Sequence, residues 1–195
     1  MRQLIRWPAA LGLVLALGAA GAQLASQNPA TQPPANPDAL VLADFHKRIE
    51  TYLDLHKDVE KGPARLKETN DPGKIRDAQA TLAGRIRAAR SDARPGDIFT
   101  PQIRAMFRRL MYPELKGREG RETKSEIKED APTGIPLEVN AIYPEGKALS
   151  TVPPNLLANL PQLPEDLEYR VVGKHLILRD VDANLIVDFI PNAIR

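Results

Sequence analysis

The 195-residue chain reads as an α+β protein. A helical hairpin and a short third helix come first, and a small antiparallel β-meander of three to four strands lies at the C-terminal end. Three observations predict this. Apolar residues recur at three- and four-residue steps through residues 42–59 and again through 75–93, the spacing of buried helix faces. Between Leu167 and Ile190 the period drops to two, the spacing of strands. Between these regimes lies Glu114–Asp130, where 11 of 17 residues are charged.

The N-terminus has the layout of an export signal. Arg2 and Arg6 form a basic start, Ala9–Ala20 is an apolar run too short to span a bilayer, and Ala20-Gly21-Ala22 offers a small-x-small cleavage site after Ala22. Residues 1–22 are therefore expected to be a signal peptide, which places the protein in the periplasm or outside the cell. Its removal takes two arginines and no acid, leaving 25 basic against 25 acidic residues, so net charge does not point to nucleic acid. The chain has no cysteine. That excludes disulfides, thiol catalysis, Fe–S clusters, cysteine-based zinc sites and a lipoprotein anchor. No later segment is expected to cross a membrane. Residues 23–37, rich in Gln, Asn, Ala and Pro, read as a disordered leader.

The helical region is expected over residues 38–113. Asp38 can cap the first helix, whose stripe is Leu42, Phe45, Ile49, Tyr52, His56 and Val59, and Gly62-Pro63 stops it. Asp71-Pro72 starts a second helix with a cap and a first-turn proline. Its stripe, Ile75, Gln79, Leu82, Ile86, Ala89 and Ala93, is thin and alanine-rich. Pro95-Gly96 breaks the chain, and Thr100-Pro101 opens a short greasy helix through Ile103, Met106, Phe107, Leu110 and Met111 that ends near Pro113. Residues 114–131 read as a loose charged linker with helical tendency, and so as the boundary to a β-module over 132–195. Within that module Leu137–Tyr143 alternates like a strand, a candidate fourth for the meander. A short helix through Leu156–Leu160, bracketed by prolines, could cover it.

The meander can be paired residue by residue. Gly173-Lys174 suits a two-residue type II′ hairpin, which sets Val172 opposite His175, Tyr169 opposite Leu178 and Glu168 opposite Arg179. A turn at Val181–Asn184 pairs Asp180 with Leu185, Leu178 with Val187 and Leu176 with Phe189. One face is then Leu167, Tyr169, Val171, Leu176, Leu178, Leu185, Val187 and Phe189, and needs a cover. The other, with Glu168, Arg170, Val172, His175, Ile177, Arg179, Ile186, Asp188 and Ile190, is mixed and open to a partner.

The stretch VPPNLLANLPQLPEDLEYRVVGKHLILRDVDANLIVDFI resembles a tail found in uncharacterised exported bacterial proteins. It is also distantly similar in layout to small periplasmic proteins of nickel/cobalt homeostasis, through Tyr169, Val172, Gly173, Leu176, Leu178, Ile186, Val187 and Asp188. The resemblance covers about the last 40 residues. It implies a small periplasmic fold and location. It carries over no metal role, because matching ligand clusters are missing.

Candidate chemistry is sparse. His46 and His56 are ten residues apart and fall on different sides of one helix; His56, on the apolar stripe with Glu60 one turn away, reads as a packing residue. His175, beside a turn, is expected to be exposed. Asp180-Val181-Asp182-Ala183-Asn184 opens like a calcium loop but has Leu185 and Pro191 where Gly and Glu are required. No nucleophile elbow, Walker loop or dinucleotide fingerprint occurs. Lys74–Tyr112 holds nine basic and three acidic residues. Its arginines either offset acids elsewhere in the fold or meet an anionic surface. The expected function is a non-catalytic binding or structural protein of the bacterial envelope, with no cofactor and no nucleic acid. Its partner would be an envelope protein or an anionic surface, met through Arg85, Arg87, Arg90, Arg94, Arg104, Arg108, Arg109, Arg170, Arg179 and Asp188. A periplasmic metal-binding or metal-responsive protein is the alternative, and an unrecognised hydrolase the second.

Overall fold

In a computed structural model, which describes residues 36–61 and 69–195, the helices start where capping chemistry dictates. Helix α1, Pro37–Glu60, is capped by Asn36, whose side chain accepts the Asp38 N–H at 3.0 Å. The expected cap, Asp38, sits in the first turn instead and forms an ion pair with Arg109. The expected leader therefore overlaps the helix start by Asn36 and Pro37; its remainder, the signal segment and the Gly62-Pro63 stop lie outside the described residues. Helix α2, Pro72–Ala89, is capped by Asp71, and α3, Pro101–Met111, by Thr100, each with proline in the first turn as predicted.

Helix α1 buries Phe45, Ile49, Tyr52, Leu53 and His56 and packs against both α2 and α3. From α2 only Ala83 and Ile86 are fully buried, and Ala89 is exposed, so the second stripe is shorter than its sequence period. Phe99, just ahead of α3, and Phe107 within it join Phe45 in an aromatic knot. Phe107 stands edge-on to both at 5.2 Å, and Tyr169 of the sheet continues the chain at 5.8 Å. Burying rings of this size contributes roughly 1.5–3 kcal/mol each.

The expected charged linker is a correction. Pro113–Leu115 forms a 3-10 turn and Gly117–Asp130 a full helix, α4. Its interleaved charges face outward while Gly120, Thr123 and Ile127 are buried. The 11 charges of residues 114–130 conceal this three-residue buried seam in the sequence. Helix α5 is one turn, Pro154–Leu157, shorter than expected, and buries Leu156. Leu160 is buried in the same cluster.

Strands β1 (Leu167–Val172), β2 (His175–Asp180) and β3 (Leu185–Ile190) form an antiparallel sheet in the order β1-β2-β3. The β1–β2 register matches the derived one at every pair. The β2–β3 register starts as derived, at Asp180 and Leu185, and then shifts by one residue across Leu178/Arg179. Leu178 faces Asp188 instead of Val187, and Leu176 faces Ile190 instead of Phe189. A bulge of one residue moves every later side chain to the opposite face. Ile190 and Asp188 therefore turn toward the helices, and Phe189 turns away.

The outer face, expected to be open to a partner, instead carries its own small core. Ile135 and Tyr143 pack on Val172, Ile177 and Ile186, with Leu137 and Phe189 alongside. The covering segment follows β3 without becoming a fourth strand. It makes one bridge, Ile142 to Leu185, with hydrogen bonds from Ile186 to Ala141 and from Tyr143 to Asn184. Asn140, at φ 64°, interrupts it. On the inner face one apolar cluster runs from Phe45 through α2, α3, α4 and α5 to β3 and Ile194. The expected boundary at 114–131 does not divide it, and the described residues belong to one compact unit. No described helix is long and apolar enough to cross a membrane.

Candidate functional site

Two buried carboxylates join the helices to the sheet. Asp180, at the end of β2, is fully buried. Its Oδ2 accepts the Tyr52 hydroxyl at 2.6 Å and the His56 Nδ1–H at 2.7 Å, while Oδ1 accepts the Ala183 N–H at 2.7 Å. Tyr52 and His56 stand one turn apart on the buried stripe of α1, so a single face reaches a single carboxylate. The Asp180 hydrogen bond raises the affinity of His56 for its proton, against the burial that lowers it. Burial, then the Asp180 charge, push the Tyr52 hydroxyl far above its ordinary value, so it remains a donor. Burial and Asp180 likewise push the Asp182 carboxyl up.

An aspartate on Nδ1 also orients a catalytic base, but that chemistry needs an exposed second nitrogen beside a nucleophile. His56 is 2% exposed and lines none of the clefts described below. Asp180 and Asn184, the ends of the calcium-like stretch, are committed to the turn: Asn184 Oδ1 accepts from Arg179. Among the described residues no group of three or more His, Cys, Asp or Glu side chains is placed to hold a metal ion. His46 is exposed. His175 is half-buried, not exposed as expected, and its Nδ1 accepts the Asn192 N–H at 3.1 Å. Burial and Lys174 lower its proton affinity, consistent with that acceptor role.

Asp188 is the second carboxylate, and the bulge delivers it. It is fully buried and accepts the backbone N–H groups of Gly96, Ile98 and Phe99, at 2.8–3.0 Å, as well as that of Phe189. It was expected on the outer face as a contact residue; it instead anchors the loop before α3. Gly96, at φ 104°, lets that loop turn its N–H groups inward.

Most of the expected arginine surface is likewise structural. Arg85 donates to Val59 O, Arg87 to Asn140 O, and Arg108 to Pro191 O. Arg90 stacks over the Tyr52 ring at 4.9 Å and donates to Asn140 Oδ1 and Val187 O, holding the bulge; burial lowers its proton affinity. Arg170 and Arg179 converge on Glu168. Burial alone would raise the Glu168 carboxyl, but those two hydrogen bonds hold it below its ordinary range. Arg104 packs on the Gly96 loop, with Nε and Nη2 buried and lacking hydrogen-bond partners. Arg94 is exposed. The arginines thus mainly grip main-chain oxygens, with Asp38 and Glu168 as the acids they pair with.

Among the described residues, three clefts open at the surface. One of about 370 Å³, between α1 and the 97–98 loop, has mixed charge, with Asp44, Lys47, Arg48 and Asp97. A second, of about 660 Å³, lies between β1 and the 151–163 segment and is mainly apolar. The third, of about 460 Å³, brings Arg108 and Arg109 of α3 together with Tyr112, Lys116, Lys124 and Arg195. In these three clefts, then, Arg108 and Arg109 are the two members of the expected set that come together. Lys116 and Lys124 were hidden in the supposed linker, and Arg195 had no motif; the helical spacing of Gly120, Thr123 and Ile127 was the signal that could have placed both lysines. No family model, no curated protein and no solved structure matches the chain.

Proposed function

We propose that this is an exported, non-catalytic binding protein of the bacterial envelope that engages an anionic partner through the cationic corner between α3 and α4. One observation carries the reading. The catalytic-type side chains Tyr52 and His56 are buried and bonded to the buried Asp180, whereas five cations, Arg108, Arg109, Lys116, Lys124 and Arg195, line one surface cleft with no Asp or Glu side chain among its walls. Such a field attracts anions and raises their encounter rate. Export is supported by the Arg2–Ala22 pattern.

Photo-crosslinking in the intact envelope tests it. A photoreactive side chain at Tyr112, which is 57% exposed, should give reproducible adducts that one at Leu40 does not. Adducts equal at the two positions, or turnover of an envelope polymer by the purified protein, would refute the proposal. Fractionation of the full chain should find it outside the cytoplasm, with a mature N-terminus at Gln23.

A further inference from the structure

We infer that the cleft between α3 and α4 is a phosphate-monoester site. The inference rests on the binding-protein reading above and names its ligand chemistry. The charge count comes first. Of the five cations lining the cleft, Arg109 is paired with Asp38, and no other side-chain carboxylate among the described residues makes an ion pair with the set. A single carboxylate ligand would leave most of that charge uncompensated; a phosphate monoester brings nearly two negative charges and three strong acceptors.

Donor geometry comes second. Arg108 spends one nitrogen on Pro191 O, at 2.8 Å, and its Nε is buried with no hydrogen-bond partner. Burial, together with the cations Arg195 and Arg104, lowers its proton affinity. An anion at the cleft would relieve that repulsion and could take the Nη donors that Pro191 O leaves free, which suit phosphate oxygens. Lys124 donates to the main-chain oxygen of Arg195 and retains further N–H donors.

The third point is shape. Lys116 stands 3.9 Å over the ring of Tyr112, which with Leu115 and Ala193 supplies an apolar wall. A cavity of about 460 Å³ falls within the span of small-molecule sites. It admits a phosphate carrying a small organic group. The same monoester occurs in soluble phosphate esters and in the headgroup of phosphatidic acid, and the test separates them.

The chain, as the cell processes it, is titrated by NMR with glycerol phosphate and, in a second arm, sedimented with phosphatidylcholine vesicles with or without phosphatidic acid. Binding of glycerol phosphate with shifts at the Tyr112 ring and none at Tyr143, weakened about tenfold or more by Lys116→Glu, supports the site and assigns it to soluble esters. Salt-sensitive sedimentation with the phosphatidic acid vesicles alone, lost in the same variant, supports it and assigns it to lipid. If Lys116→Glu lowers the melting temperature, the shifts at Tyr112 in the unmodified protein decide the matter. No binding of either probe below roughly 10 mM phosphate, or equal affinity in the variant with its fold intact, overturns the phosphate assignment. Tyr112-specific crosslinks in the envelope would survive that failure; their loss would sink the binding-protein reading itself.

Discussion

At the scale of single residues, the energetic weight lies in two carboxylates, Asp180 and Asp188, whose burial no motif announced. Asp180 is buried with two side-chain donors on one oxygen, and removing either donor leaves part of a desolvated charge unanswered. His56→Gln should lower stability by about 2–4 kcal/mol, measured by urea denaturation near pH 6. The pH dependence follows from the direction of its shift. The folded state holds the His56 proton more tightly than the unfolded chain, whose ordinary value is 6.5, because Asp180 accepts the hydrogen bond. Stability from this pair is therefore complete below pH 6.5 and is lost as pH rises through the raised native value. The unmodified protein should weaken across that window while the variant's curve stays flatter. A steeper decline in the variant would show that another group controls it. Asp182, shifted upward by burial and by Asp180, acts in a separate, acidic window above its ordinary 3.8.

At the scale of elements, pattern and spacing revealed what is periodic and local, and missed what a single residue decides. Helices α2 and α3 were readable from Asp71-Pro72 and Thr100-Pro101 because capping is a short-range event. The β1–β2 hairpin was readable because a two-residue turn dictates every later pair. The bulge in β3 was not: LIVDFI alternates just as well without it, and the shift follows from tertiary demand. Asp188 is needed inside to receive three loop N–H groups, and Arg90 holds Val187 O. The site was half legible for a similar reason. Arg108 and Arg109 fell in a basic run, but Lys116 stands at the N-cap of, and Lys124 within, a helix whose charges masked its buried seam. The tightest point of that seam is Gly120, where an added Cβ would lie 2.2 Å from the main-chain carbon of Leu115. Gly120→Ala should therefore push α4 off the 3-10 turn and cost about 1–3 kcal/mol. Hydrogen exchange should show faster α4 amides with α1 unchanged. Normal protection of α4 in that variant would mean that the corner is looser than its packing.

At the scale of the whole molecule, the question is whether helices and sheet are one folding unit, since composition divides the chain at 114–130 and the core does not. Asp188 offers the cleanest probe, because its links run from β3 to the 96–99 loop and so cross the divide. Asp188→Ala orphans these loop N–H groups and the Phe189 N–H, at a cost of about 3–5 kcal/mol. If the halves were separate cooperative units, that loss would appear in the loop and β3 alone. With one core shared by Phe45, Phe107, Tyr169 and Leu178, the exchange-protected amides of α1 and β2 should instead lose protection together and by the same free energy. Native-state hydrogen exchange on the variant measures this directly, and limited proteolysis gives a second readout. Residues 117–130 should resist cleavage in the unmodified protein. In the variant they should become susceptible at the denaturant concentration where β2 opens. Cleavage there while β2 stays protected would restore two modules. Coincident loss would place the cationic corner on the same cooperative unit as the sheet, so a ligand bound between α3 and α4 would also stabilise the contact of His56 with Asp180.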